Sequence, residues 1–185
     1  MLKLSTLRQV LAGTDEVTLK LQRDSVVKLF ERNTRRLWQY RKEHVMSIYL
    51  DPMERRVNLF VDLFPISKLD KIETWSLIET DKELLVDTAY KAIADKGRII
   101  RIDGDYWQDY IEVTVTGGYT EDQFEEQFPE VVAAMIIQCN FTQQRNSKMN
   151  VHLATQAFEK GTTAFLKPEL HPQFQMVCDL HRRYC

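Results

Sequence analysis

YIEVTVTGGY, residues 110–119, followed after an acidic spacer by PEVVAAMIIQCNFTQQR, residues 129–145, decides how this chain folds. Ile111, Val113 and Val115 alternate with Glu112, Thr114 and Thr116, the period-two pattern of a strand with one face on a core. Gly117-Gly118 permits positive φ and ends the strand in a sharp turn, leaving Tyr119 to fold back as an anchor. Thr120 to Gln127 reads as a polar connector. Pro129 suits the first turn of a helix because its missing N–H would have had no partner there, and Glu130 complements the positive end of the helix dipole. Val131 to Ile137 is apolar at every position, which predicts a helix buried on all sides at the centre of the core.

Working outward toward the N-terminus, Ser5 is placed to cap a short helix that Gly13 stops. Thr14-Asp15 starts a longer helix, with Val17, Leu21, Val26, Val27, Leu29, Phe30 and Leu37 as its apolar stripe. Segments 45–50 and 57–61 flank the turn-forming Asp51-Pro52-Met53-Glu54 and read as a hairpin. Residues 66–78 continue as an extended segment. A second hairpin runs over 84–93 and 98–103 through Asp95-Lys96-Gly97, and Gly104-Asp105 turns the chain before Tyr106-Trp107. Beyond Arg145, Asn146-Ser147 reads as a break, 151–160 as a short helix, and Phe174 to Arg183 as a terminal segment with a narrow apolar stripe that docks onto something larger. The fold class is α+β: a small helical bundle with an inserted antiparallel hairpin and sheet region at about 45–116, a first domain of 1–145, and a C-terminal extension or arm over 146–185.

Composition narrows the function. A chain of 185 residues holds one sizeable core, and its formal net charge of -2 argues against a protein that coats phosphate backbones. No apolar run reaches the roughly 18 residues that crossing a membrane needs, and the charged start of the chain does not read as a secretory signal. Three widely spaced cysteines do not describe a disulfide framework.

Signatures of chemistry are sparse. There is no glycine-rich phosphate loop, no G-x-S-x-G elbow and no H-E-x-x-H. His171, Cys178, His181 and Cys185 have workable zinc spacing but lack the paired C-x-x-C of confident zinc modules, and ordinary helix-face residues explain them as well. Asp103, Asp105 and Asp109, or Glu125 and Glu126, have the makings of a cation or proton-transfer site, against the commoner acidic surface turn. Cys139 reads as a small core residue, and His44 and His152 lack triad partners. Catalytic, cofactor and metal residues are therefore all expected to be none, and the chain is not expected to be an enzyme. Arg32, Arg35, Arg36, Arg41 and Lys42 surround Trp38 and Tyr40, an arrangement that suits either a nucleic acid strand or a solvated helix end.

The order of these elements resembles the head-to-tail connector, or adaptor, proteins of tailed double-stranded DNA bacteriophages. The residues that carry the resemblance are FERNTRR at Phe30 to Arg36, LFPISKLDKI at Leu63 to Ile72, Tyr106-Trp107, VTVTGGY at Val113 to Tyr119, and Pro129 opening the apolar helix. The chain departs from that pattern in ending the helix with Phe141, two glutamines and Arg145, and in its longer tail. The resemblance implies a structural virion protein of the phage neck. Copies of the chain would form a ring, expected to be a dodecamer, under the portal protein and would offer a platform to a head-closure (stopper) or tail protein. Double-stranded DNA would pass through the lumen without sequence-specific binding, the location being the virion and, during assembly, the host cytoplasm. On that reading Phe174, Arg182, Arg183 and Tyr184 are the expected portal contacts, because aromatics and arginines carry much interface energy; a tail that is disordered or packed within the chain stands as the alternative. The rival function is a DNA-binding accessory protein using the Arg32 to Lys42 cluster.

Overall fold

The computed structural model describes residues 1–51, 53, 55–76, 81–156 and 169–182, with side chains omitted for 146–156. Among the described residues, five α-helices and two antiparallel sheets form an α+β fold that divides into a helical unit, Met1–Arg35 with Glu121–Cys185, and a β unit, Arg36–Thr120. The inserted region is thus wider at both ends than the 45–116 read from the sequence, because the turns that open and close it are bound to each other.

In the helical unit, α1 is Leu4–Val10, α2 Glu16–Thr34, α3 Glu121–Gln127, α4 Pro129–Gln156 and α5 Pro172–Leu180. Ser5 lies inside α1, whose N-cap is Lys3, so the expected serine cap does not form. Asp15 does cap α2, accepting a hydrogen bond from the Thr18 N–H at 2.9 Å. The buried face of α2 is Leu19, Val26, Val27, Phe30 and Thr34, while Val17 and Leu21 stand 69% and 66% exposed. At 100° per residue those two fall on the far side of the cylinder from Leu19 and Phe30, so the apolar stripe expected to include them is two stripes. Leu37, also placed on that stripe, lies beyond the helix and bridges to Leu63.

Thr120 to Gln127 is largely helical rather than a loose connector: Phe124 needs burial, and α3 delivers it against Phe30 with ring centroids 6.3 Å apart. Pro129 opens α4 as expected, but the helix runs on through Asn146 and Ser147 without a break. It is not enclosed on every side either. Val131, Ala134, Met135 and Cys139 are buried, whereas Ala133 is exposed and Ile136 and Ile137 are half-buried. The end of the short helix expected at 151–160 lies outside the described residues beyond 156.

The β unit holds a four-stranded sheet, β1 Arg41–Tyr49, β7 Tyr110–Gly117, β3 Ile66–Trp75 and β4 Glu83–Leu84 in that order, and a three-stranded sheet of β2 Asn58–Phe60, β6 Arg98–Arg101 and β5 Tyr90–Ile93. The hairpin over 45–61 does not exist: β1 pairs with β7, His44 opposite Val115, and β2 pairs with β6 in the other sheet. The second hairpin is present only in its inner part, Tyr90–Ile93 against Arg98–Arg101 with Gly97 at φ 58° closing its turn, because Glu83–Leu84 pairs with β3 in the other sheet. Ile111, Val113 and Val115 are fully buried beside Ile72, Leu63 and Ile99, so the alternating strand is the spine of this core. Gly117 is required where the chain passes Pro65, since a Cβ there would lie 2.1 Å from the Pro65 carbonyl oxygen.

Candidate assembly surfaces

Two of the four expected contact residues, Phe174 and Arg182, can be placed from α5. His171 caps α5, its Nδ1 accepting from the Gln173 N–H, and its own N–H donates to the Gln138 side-chain carbonyl at 2.7 Å. Gln138, buried in α4, also donates to the Glu169 carbonyl, so a polar clamp fixes the start of α5. Phe174 then enters the core, fully buried with its ring 6.3 Å from Phe30, and Val177 and Cys178 follow it inward. Arg182 donates from Nε to the Asn33 carbonyl at 3.1 Å and lies 3.6 Å from Asp179. The described part of the arm is therefore docked within its own chain, and Phe174 is an internal anchor here, not a surface contact. Arg183 and Tyr184 lie outside the described residues.

The outward face of α5 is different. Met176 is 58% and Leu180 73% exposed, and with Pro172, Gln175 and Asp179 they line a shallow, open depression of about 600 Å³. On α2 the outward face carries Val17 and Leu21 toward its start and exposed Lys28, Arg32 and Arg35 toward its end. Lys28 and Arg32 make no ion pair among the described residues, so that end of α2 is open cationic surface.

On the β unit, register puts Tyr49 opposite Tyr110 and Tyr110 opposite Trp75. Their rings form a cross-strand ladder, with centroids 5.1 Å and 5.5 Å apart, and Lys82 sits 4.8 Å over Trp75. Nothing in the linear sequence aligns these three, since they come from strands far apart in the chain. The signal in the sequence is an aromatic at the last position of β1 and of β3 and at the first position of β7.

Several of the groups weighed for chemistry are tied up internally, while Glu126 stands exposed. Arg101 binds Asp103 in two bonds near 3.0 Å and also reaches Asp105 at 3.7 Å, which holds the Asp103 carboxyl below its usual range. The Asp109 carbonyl accepts from Leu50 N–H at 2.8 Å. Glu125 accepts the Lys3 backbone N–H at 2.8 Å and the Thr6 hydroxyl at 3.2 Å, so it serves the N-terminus of α1. His44 Nε2 lies 3.6 Å from Asp62, and His181 Nε2 the same distance from Glu130. Burial pushes both the Cys139 and Cys178 thiols up to about 12. No three His, Cys, Asp or Glu side chains among the described residues are grouped to hold a metal ion, and Cys185 and the side chain of His152 lie outside them.

The basic and aromatic cluster is divided. Trp38 is 1% exposed, stacked on Tyr119 at 6.1 Å, so it offers no face to a base. Arg36 stands over the Phe64 ring at 4.4 Å.

No protein-family model and no curated protein matches the sequence. Solved structures do share the fold. A chain from the neck of an empty GTA particle, computed with C6 symmetry, superposes with a TM-score of 0.61 at 11% identity, over 100% of this chain and 90% of that one. A chain from the neck of a native GTA particle computed with C12 symmetry gives 0.58 at 11%, and one from the virion of a native gene transfer agent (GTA) particle gives 0.59 at 12%, with the same coverage. At such identity the likeness is one of fold, and it embraces both units. It is a likeness of the kind that the connector resemblance implies.

No helix among the described residues is long and apolar enough to cross a membrane. The polar side chains that would have supplied chemistry instead brace turns and helix ends, and the least satisfied surfaces are helical faces and one aromatic ladder. Such surfaces suit protein contacts.

Proposed function

We propose that this chain is a structural subunit of the neck of a tailed phage or phage-like particle. Copies form a ring, twelve in number, that sits under the portal, joins the head to the tail and surrounds the passage for DNA. The observation that carries this reading is the whole-chain likeness of fold to neck proteins whose particles were computed with C6 and C12 symmetry. Those symmetries support a closed ring of identical subunits. The reading assigns the chain no catalysis, no metal and no cofactor. It makes the portal and a head-closure or tail protein its neighbours, and the virion its final location, after assembly in the host cytoplasm.

DNA passes such a ring without being gripped. A formal net charge of -2 supports this, because non-specific affinity for DNA comes from cations that displace counterions from phosphates, and the chain has no excess of them. The rival reading, a DNA-binding accessory protein, loses one of its two stacking aromatics in the buried Trp38 and keeps the other in Tyr40, 49% exposed.

Negative-stain microscopy of the purified chain, alone and mixed with a portal, tests the proposal. Rings of twelvefold symmetry, free or stacked on the portal, are expected. A chain that ignores the portal, or that binds duplex DNA tightly at physiological salt and loses that binding on Arg35→Ala with Arg36→Ala, would overturn it.

A further inference from the structure

A ring closed by rotation uses a heterologous contact: each subunit offers two different patches, and the first patch of one copy meets the second patch of the next. The helical unit carries two such patches. On α2, Val17 and Leu21 are one turn apart and 69% and 66% exposed; on α5, Met176 and Leu180 are likewise one turn apart and 58% and 73% exposed. Both are i, i+4 pairs, so each presents two apolar knobs about 6 Å apart along its helix. The two patches cannot be one surface. Arg182, just past the end of α5, bonds to the Asn33 carbonyl near the end of α2, while Val17 lies 16 residues earlier, about 24 Å along the helix.

Charge sets the direction. Beyond Leu21 the outward face of α2 continues into exposed Lys28 and, farther on, Arg32. Before Met176, the outward side of the α5 approach carries Glu169, 66% exposed although 3.0 Å from Arg145. Lys28 follows Leu21 by seven positions, and Glu169 precedes Met176 by seven. If the helices lie antiparallel, Val17 meets Leu180, Leu21 meets Met176, and the cations of α2 run toward the acid before α5. A parallel arrangement would leave that acid away from the cations.

Resting on the ring reading above, the geometry points to a subunit contact in which the outward face of α2 packs antiparallel on the outward face of α5 from the neighbouring copy. The depression along α5 is the seat for Val17 and Leu21 of that second copy. The contact makes the arm a structural part of the ring wall.

Cysteine trapping tests it, because a disulfide forms only when the two Cα atoms come within about 7 Å. In a Cys185→Ser background, reduced Leu21→Cys and Met176→Cys proteins are oxidised each alone and as a mixture at high concentration, with far-UV circular dichroism confirming that both fold. A covalent heterodimer that exceeds either homodimer several-fold is expected, and the double variant should give a ladder of multimers. Leu21→Cys mixed with Val86→Cys, an exposed apolar residue of the β unit, measures random collision. Heterodimer no more abundant than in that control, or homodimers predominating, overturns the contact. The ring reading is judged separately, by whether the unmodified chain forms rings in the microscope, and it survives failure of the trapping.

Discussion

Trp38 and Tyr119 stack at 6.1 Å, and the Tyr119 N–H donates to the Trp38 carbonyl at 2.7 Å, so the chain enters and leaves the β unit through one stapled pair of turns. The Tyr40 N–H returns the bond to the Tyr119 carbonyl at 2.9 Å. This closeness is possible because Gly118 stands between them at φ 82°, where a Cβ would lie 2.5 Å from the Gln39 carbonyl oxygen. Gly118→Ala meets both a disfavoured φ and immovable backbone atoms. It is expected to destabilise the chain by about 2–4 kcal/mol, read as a lower denaturation midpoint in urea.

Thiol reactivity follows from burial. With Cys139 and Cys178 both pushed up to about 12, the reactive thiolate at pH 8 is on the order of one part in ten thousand, and neither sulfur is reached by solvent. A Cys185→Ser variant is expected to show almost no reaction with an aromatic disulfide reagent until denaturant is added, and two thiols per chain afterwards. One rapid thiol in the folded variant would mean that α4 or α5 opens far more easily than its packing implies.

What the sequence made legible was whatever depends on neighbours along the chain. Ile111, Val113 and Val115 announce their strand because burial alternates with period two, and Asp15 and Pro129 announce helix starts because unpaired N–H groups or a missing one are local matters. Pairing between distant segments was not legible. A turn-forming Asp51-Pro52 beside two apolar runs invites a hairpin, yet β1 finds its partner in β7, and no residue in either strand names the other. Val17 and Leu21 misled for a related reason: apolar spacing of four is the same on the inner and the outer face of a helix. Of the expected contact residues, Phe174 was chosen for its chemistry, and an aromatic serves a core as readily as an interface. Met176 and Leu180, on the same helix, lie off its narrow apolar stripe, and nothing in the sequence marks that reverse side as a surface of its own.

Acid should loosen the β unit through Asp70. The Lys68 ammonium and the Thr116 hydroxyl, which donates to Asp70 at 2.8 Å, hold this carboxyl below its usual range, and Thr116 in turn accepts the Glu43 N–H at 3.0 Å. Its folded pKa is lower than the unfolded 3.8, so its stabilisation is fully present above about pH 4 and is lost as pH falls through the folded value. Asp70→Asn is expected to lower stability at pH 7 and to flatten the dependence on pH below 4, with the two proteins converging at the acid end. Denaturant titrations at pH 2.5, 4 and 7 check this, and parallel curves for the two proteins would remove Asp70 from the account.

Phe174 decides whether the arm stays docked in the free chain. Its ring lies in the same cluster as Phe30, which also meets Phe124 at 6.3 Å and His181 at 6.4 Å, so one side chain joins α5 to α2 and to α3 through Phe30. Truncation to alanine removes a fully buried ring and leaves a cavity, a change that costs about 3–5 kcal/mol in a packed core. What remains is the burial of the smaller Val177 and Cys178 and, at the two ends of α5, the Gln138 clamp to His171 and the Arg182 bond to Asn33, these last two each worth about 1 kcal/mol. Phe174→Ala is therefore expected to free α5 before the rest of the helical unit melts. Amides of α5 should exchange with deuterium at least a hundredfold faster while those of α4 near Met135 change far less. Equal acceleration across both helices would show instead that α5 and α4 open as one body, and that the arm has no separate docking equilibrium.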